Sequence, residues 1–280
     1  MIALIDFDEI LYKAGFASQS SSYAVSVIGE EEDGPFRTYK YKKEATDFVK
    51  KHGEEDFTIT PLLRVDSLDI AIYNTDHTIQ TILDNLATSK YIGYFSGHHN
   101  FRVDVATLLP YKGNRDPSHK PYWYKEIKQH LIDNYNSYIV HGMEADDGMS
   151  ITQWQHLTED ELTCIVSQDK DLRMVPGFHY LPNSQELLEV SYLDGCRTFY
   201  KQMLKGDSTD NIPGLFKVTG KKANKHLMRV VDESVDEMEM YEHVLTCYEG
   251  NVNIVKEIGQ LLWMKRDEEE DWEPGQRYYS

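Results

Sequence analysis

A doubly wound α/β fold with a mostly parallel central sheet is what this 280-residue chain predicts, on three observations. Short apolar runs, "IALIDF", "YIGYF", "SYIV", "TCIVS" and "FHYL", have the length and continuity of strands buried on both faces. Segments of helical spacing lie between them: Ile79, Ile82, Leu83 and Leu86 recur at i, i+3, i+4 and i+7, and Trp123, Ile127 and Leu131 form a second stripe. Three of the strand runs end at acidic residues, which puts carboxylates at the edge where open parallel sheets bind ligands.

Taken in order, the first strand run is followed by residues 20–70, which fit the alternation less well. "YAVSVIG" and "PFRTYKY" read as a hairpin and "KEATDFVKKHG" as a short helix, together an insertion before the sheet resumes. Its Arg37, Lys40, Lys42 and Lys43 suit contact with DNA and a plain exposed strand face equally. A basic segment, about 102–125, follows "YIGYF". From about residue 200 the pattern is mostly helical, broken by the turn-rich "GDSTDNIPG". The expected division is a core over 1–195 and a helical region with a tail over 196–280.

Hydrophobic content of 40% is ample for a buried core, and no apolar run approaches the roughly 18–20 residues of a bilayer span. Cys164, Cys196 and Cys247 are odd in number and lack CxxC spacing, as expected for a reduced, cytoplasmic protein without disulfides or zinc. The formal charge of -18 argues against a polyanionic partner at first sight, but it is unevenly placed. "EEED" (Glu30 to Asp33) and "RDEEEDWE" read as solvated acidic segments, whereas bases gather in Arg102 to Lys128 and Lys217 to Arg229.

The acids carry the chemistry. Asp6 and Asp8 close the first strand run, Glu144, Asp146 and Asp147 follow another, and Asp169 and Asp171 a third. Favourable placement at a helix N-terminus is worth about 0.3–1 kcal/mol each and accounts for one or two of them. Their joint recurrence after separate strands points to a metal site, and hard oxygen ligands suit Mg²⁺ or Mn²⁺. Asp207 and Asp210 add two more acids in a turn. Around Gly220, Lys217, Lys221, Lys222, Lys225 and Arg229 read either as an exposed basic helix face or as a phosphate grip. Arg102, Lys112, Arg115, Lys120 and Lys125 interleave with Tyr111, Tyr122, Trp123 and Tyr124, which suits nucleic acid. Tyr111, in a loop, is the stacking candidate; Trp123 lies on the apolar stripe. His98 and His99 read as loop surface, and no Ser-His-Asp order, GxSxG or Walker motif occurs.

"LIDFDEILYKAGFA", "YKGNR", "EADD", "SQDKDL" and "KGDSTDNIPG" occur in the order seen in flap endonucleases and 5′→3′ exonucleases, and the chain resembles that family over residues 1–16 and roughly 91–230. That family includes stand-alone exonucleases of tailed phages and the 5′-nuclease domain of bacterial DNA polymerase I, and the compact chain resembles these. The resemblance implies a PIN-like fold and a soluble monomer acting on DNA with a 5′ end or flap, with RNA–DNA hybrids as a variant substrate. It implies two Mg²⁺ ions, with Mn²⁺ as a substitute. Asp6, Glu144 and Asp146 would hold one; Asp147, Asp169, Asp171 and Asp210, with Asp207 nearby, would hold or orient the second. Lys112 and Arg115 would be the catalytic cations, Lys112 assisting the scissile phosphate, and Tyr111 and Arg115 would contact the strand entering the site. Arg102, from the basic segment, is a further expected DNA contact. Residues 212–229 would form a helix-hairpin-helix gripping duplex DNA, with Lys217, Lys221, Lys222 and Lys225 on the phosphates.

Two positions depart from the family pattern. Ser96 or Gly97 stands where an acid usually follows the second strand, lowering the carboxylate count. Lys217 and Thr219 replace two hairpin glycines, which weakens the case for a K⁺-bridged phosphate clamp. A rival reading takes "LIDFDEILY" as the motif of a haloacid-dehalogenase-type phosphatase with Asp6 as nucleophile; it needs its last acidic motif at a strand end and leaves "EADD" and "DKD" unused. A non-cleaving DNA-binding protein on a decayed nuclease fold is the second.

Overall fold

The computed structural model describes residues 1–29, 34–116, 119–157 and 161–279. The expected "EEED" segment lies outside the described residues. The chain falls into two compact units, residues 1–9, 80–119 and 131–280 in the first, and 10–79 and 120–130 in the second. These limits differ from a boundary near 195: the C-terminal helices share one core with the sheet, and the insertion falls in the second unit.

In the first unit, β1 (Ile2–Asp6) passes directly into α1 (Phe7–Ala17). β5 (Tyr91–Ser96), β6 (Ser137–Val140), β7 (Thr163–Val166), β8 (Gly177–Leu181) and β9 (Glu186–Val190) complete a six-stranded sheet. Its order is β6-β5-β1-β7-β8-β9, parallel except for β9, which pairs antiparallel with β8 at the edge. The chain extends the sheet first on the β5 side of β1 and then on the β7 side. The direction of growth therefore reverses at β1, which opens a crevice at the carboxyl ends of these strands. All five strand runs read from sequence form strands; β9, with four of its five residues outside the core, was not anticipated.

The helices α6 (Ala145–His156), α7 (Tyr192–Lys205), α10 (Glu237–Cys247) and α11 (Val252–Leu262) pack with the sheet around Leu4, Ile165, Phe199, Tyr200 and Met240. The acidic tail is not simply solvated. Trp263, Trp272 and Tyr278 are buried in the same core, and a side chain on Gly259 would collide with the Trp272 ring at 2.2 Å. Among the described residues the three cysteines are free, and no helix is long and apolar enough to cross a membrane.

The second unit holds a three-stranded antiparallel sheet of β2 (Gln19–Val27), β3 (Arg37–Tyr39) and β4 (Phe57–Val65), in the order β3-β2-β4. The predicted hairpin and helix are present, the helix as α2 (Lys42–His52), whose Ala45 and Val49 cover Val25. The longer partner β4 was missed. It carries Pro61 and the exposed Leu62 and Leu63, tolerable because β4 is an edge strand. Trp123 is only half-buried, and its indole N–H donates to the Asp66 carbonyl at 2.9 Å.

Candidate active site

Asp6 ends β1, and its Oδ1 accepts the Glu9 amide at 2.9 Å, so the strand passes into α1 with a capped first turn. Two residues on, Asp8 reaches across to the end of β5, where its Oδ2 accepts the Ser96 amide at 2.8 Å. Ser96 Oγ in turn accepts the Ala145 amide at 3.0 Å and fixes the start of α6. The acid missing after β5 is thereby accounted for. At Gly97 a Cβ would lie 2.3 Å from the Val140 carbonyl oxygen, so no side chain fits there. Asp8 supplies a carboxylate to that corner instead. On the other flank, Glu9 Oε2 accepts from Ser167 Oγ at 2.9 Å and the Gln168 amide at 2.7 Å, positioning the loop that carries Asp169.

Asp6, Asp146 and Asp169 thus converge from three strand ends, and their electrostatics show a charge that is met only in part. Burial pushes the Asp6 carboxyl up to about 8, with the charge of Asp8 adding to it and the Glu9 amide opposing. Burial holds Asp146 well above its ordinary value, reinforced by Asp6, Asp169 and Glu144 and opposed by Lys112. Asp169 is raised by burial, against the hydrogen bond from the Asp171 amide at 2.8 Å, with Asp210 and Asp207 adding repulsion. Burial and the hydrogen bond to Asp207 raise Asp171 to about 7. Burial opposes ionisation of Asp207 too, but the bonds from Asp171, Thr209 and Asp210 outweigh it and hold its carboxyl low.

The "YKGNR" loop docks on the "DSTDN" loop. Lys112 stands in the left-handed region at φ 53°, and its amide donates to the Asp210 carbonyl at 2.8 Å. Asn114 Nδ2 donates to the Ser208 carbonyl at 2.7 Å, and Asn211 Nδ2 to that of Pro110 at 2.9 Å. The zipped loops aim their cations at the acids: Lys112 Nζ pairs with Glu144 and lies 3.6 Å from Asp210, and Arg115 pairs with Asp210. The Tyr111 hydroxyl lies 3.0 Å from Glu144 and 2.8 Å from Asp210, and burial raises its pKa so that it stays a donor. It is engaged with carboxylates rather than presented for base stacking. Asp8 was read only as one of the strand-end acids, and Glu9, Asn114 and Asn211 were not among the expected site residues, though they lie beside Asp6 or within "YKGNR" and "DSTDN".

Two expected residues serve the fold instead. Arg102, read as a DNA contact, is 2% exposed, and Asp147, read as a metal ligand, is fully buried. They form a two-pronged pair at 2.6 and 2.8 Å, while Arg102 also donates to the carbonyls of Leu261 and Trp263. Asp147 further accepts the Glu144 amide at 3.1 Å and the Lys265 amide at 3.3 Å. A guanidinium and a carboxylate so saturated are available neither to DNA nor to a metal. Residues 212–229 do form helix, turn and helix, as α8 (Leu215–Thr219) and α9 (Lys225–Glu233) around a left-handed Gly220. Lys217, Lys222 and Lys225 are exposed there, whereas Lys221 pairs with Glu249 at 2.7 Å.

The donor set suits a hard divalent cation, and Lys112 and Lys170 offset the burial and mutual repulsion that raise Asp146 and Asp169 only in part. Among the described residues, however, no three His, Cys, Asp or Glu side chains already surround one point as a metal cage would. Lys112 and Arg115 occupy Glu144 and Asp210, so those two acids become ligands only on releasing them.

No family model matches the chain, and no curated protein matches it significantly. Solved structures of bacteriophage T5 proteins do match. One is the T5 5′-exonuclease with bound divalent zinc ions, at 14% identity and a TM-score of 0.48, covering 93% of this chain and 88% of that one. Another is the T5 flap endonuclease as a pseudo-enzyme–product complex with DNA and metal ions, at 15% identity and a TM-score of 0.45, covering 68% of this chain and 90% of that one.

Proposed function

We propose that this chain is a PIN-like, Mg²⁺-dependent 5′ nuclease that hydrolyses DNA phosphodiester bonds from 5′ ends or flaps. The observation that carries this reading is the nearness of Asp6, Asp146 and Asp169, which follow three separate strands and raise one another, with Lys112 and Lys170 offsetting only part of that repulsion. Asp6, Glu144 and Asp146 would hold one ion, and Asp169, Asp171 and Asp210 the other, with Asp207 orienting Asp171. When bound, such ions supply Lewis acidity that activates water and stabilises the phosphorane-like charge.

The chain's own residues do the rest. Lys112 and Arg115, released from Glu144 and Asp210, carry positive charge to the scissile phosphate, at the rim where it is needed. Asn114 and Asn211 hold the loop that delivers them. Lys217, Lys222 and Lys225 meet duplex phosphates away from the carboxylates. The phosphatase reading gains nothing from the fold: Asp207 follows the C-cap of α7 in a turn rather than ending a sheet strand.

The test is cleavage of 5′- and 3′-labelled duplex, flap and RNA–DNA hybrid substrates with Mg²⁺, Mn²⁺ or EDTA, with Asp169→Ala and a phosphomonoester as controls. Mg²⁺-dependent release of short 5′ products, lost in the variant, supports the nuclease. Phosphomonoester turnover without DNA cleavage overturns it.

A further inference from the structure

The second unit carries a charged corner for which the carboxylate rim has no use. Residues 35–43, "PFRTYKYKK", hold four cations and three aromatic rings without an acid, in a chain where acids outnumber bases by 47 to 29. Arg37 lies on the edge strand β3, Tyr41 precedes α2, and Arg37, Lys40, Lys42 and Lys43 are all exposed. None of the four has an acidic partner among the described residues. In the first unit Lys112, Arg115, Lys201, Lys221 and Arg266 are each paired with an acid, and the exposed Lys217, Lys222 and Lys225 around Gly220 compare with this cluster.

The rings are arranged to be reached. Tyr39 and Phe48 pack toward the small core under α2, but Phe36 is 63% and Tyr41 57% exposed. Cations lie over the rings, with Lys40 Nζ 5.4 Å from the Tyr41 centroid and the Arg37 guanidinium 5.2 Å from that of Tyr39. The acids Glu54, Glu55 and Asp56 sit at the Val27 end of β2, where the Ile28 amide donates to the Asp56 carbonyl; Phe36 lies nearer that end, its ring 6.0 Å from that of Phe57, whereas Tyr39 pairs with Tyr23 in mid-strand. α2 ends at that acidic end with Lys50 and Lys51.

We propose that the Phe36–Lys43 corner binds a single-stranded nucleic-acid segment, its phosphates on Arg37, Lys40, Lys42 and Lys43 and its bases on Tyr41 and Phe36. Phosphates alone would need only the cations. The exposed rings interleaved with them are what a strand with accessible base faces uses and a paired duplex does not. The inference rests on the proposed function for the class of polymer, but it needs no hydrolysis.

The test uses the full chain in EDTA, with fluorescence anisotropy of a labelled 20-nucleotide polythymidine and of a duplex of equal length across a salt series. Lys40→Glu/Lys42→Glu/Lys43→Glu is expected to weaken single-strand binding at least tenfold. Its log K against log salt should flatten by about 2, since each phosphate contact on a single strand contributes about 0.7. Tyr41→Ala should weaken binding severalfold while Tyr41→Phe retains it, and Lys50→Glu/Lys51→Glu should stay within twofold of the parent. Parent-like binding by both the triple variant and Tyr41→Ala overturns the proposal. So does an equal loss on reversing Lys50 and Lys51, or a silent Tyr41→Ala with single strand and duplex affected alike. Failure of the parent to cleave with Mg²⁺, with these binding effects intact, would remove the nuclease reading and leave the corner standing. Cleavage by the parent with parent-like binding by the variants does the reverse.

Discussion

Asp146 has little to offset its charge: burial, Asp6, Asp169 and Glu144 all raise its carboxyl, and only Lys112 opposes them. Neutralising it should therefore help the fold while ending the chemistry. Asp146→Asn is expected to gain about 1–2 kcal/mol of stability in EDTA, read by thermal unfolding, and to lose both Mg²⁺-dependent cleavage and any Mg²⁺-induced rise in Tm. A lower Tm in EDTA would mean that the carboxylate is structural. Arg102 has the opposite character, since removing one member of a saturated buried pair strands the other. Arg102→Met should cost about 3–5 kcal/mol in urea unfolding, and adding Asp147→Leu should recover much of it. An Arg102→Met chain as stable as the parent would sink the assignment. Asp6, Glu144, Asp146 and Asp169 were legible as a group because each follows an apolar run. The misreading of Arg102 and Asp147 came from the same local evidence. A basic residue in a basic stretch looks like a contact until Leu261 and Trp263, far along the chain, are seen to wrap it.

Strands of continuous apolar residues were readable because burial on both faces leaves one signature; β4 and β9, partly exposed, left none. The docking of "YKGNR" on "DSTDN" was likewise invisible, since asparagine-to-carbonyl bonds across about a hundred residues have no sequence period. The turn after β5 shows how an element decides what a residue may be. Ser96 or Gly97 stood where an acid was expected; at Gly97 the Val140 carbonyl leaves no room for a side chain, and the Ser96 hydroxyl is held by the Ala145 amide. Gly97→Ala is expected to destabilise by about 1–3 kcal/mol or more in denaturant unfolding, through forced displacement of β6. A neutral result would reopen the site to an acid and withdraw the role given to Asp8.

For the molecule as a whole, pH should act on stability in two directions: the raised carboxyls of Asp6 and Asp171 cost stability as the pH rises, and the buried His179 on β8 costs it as the pH falls. Burial pushes its imidazole down to about 4, with Arg173 adding to the fall and the bond of Nε2 to the Val175 carbonyl opposing it. In the unfolded chain a histidine titrates near about 6.5, so between these values the unfolded state binds the extra proton. This contribution is complete above about 6.5 and drains away as the pH falls toward 4. In urea unfolding, stability at pH 7 minus stability at pH 5 should be lower for His179→Gln than for the parent; an unchanged difference would refute the assignment. The class of the fold and the delivery of acids to one edge were determined by the sequence alone. Apolar runs and the residues that end them are local, and a parallel sheet brings its carboxyl ends together whatever the detail. Which charges face one another was decided only in three dimensions: Arg102 with Asp147, Lys112 with Glu144, Arg115 with Asp210. Coulomb energies depend on separation and burial, and neither is encoded in spacing along the chain.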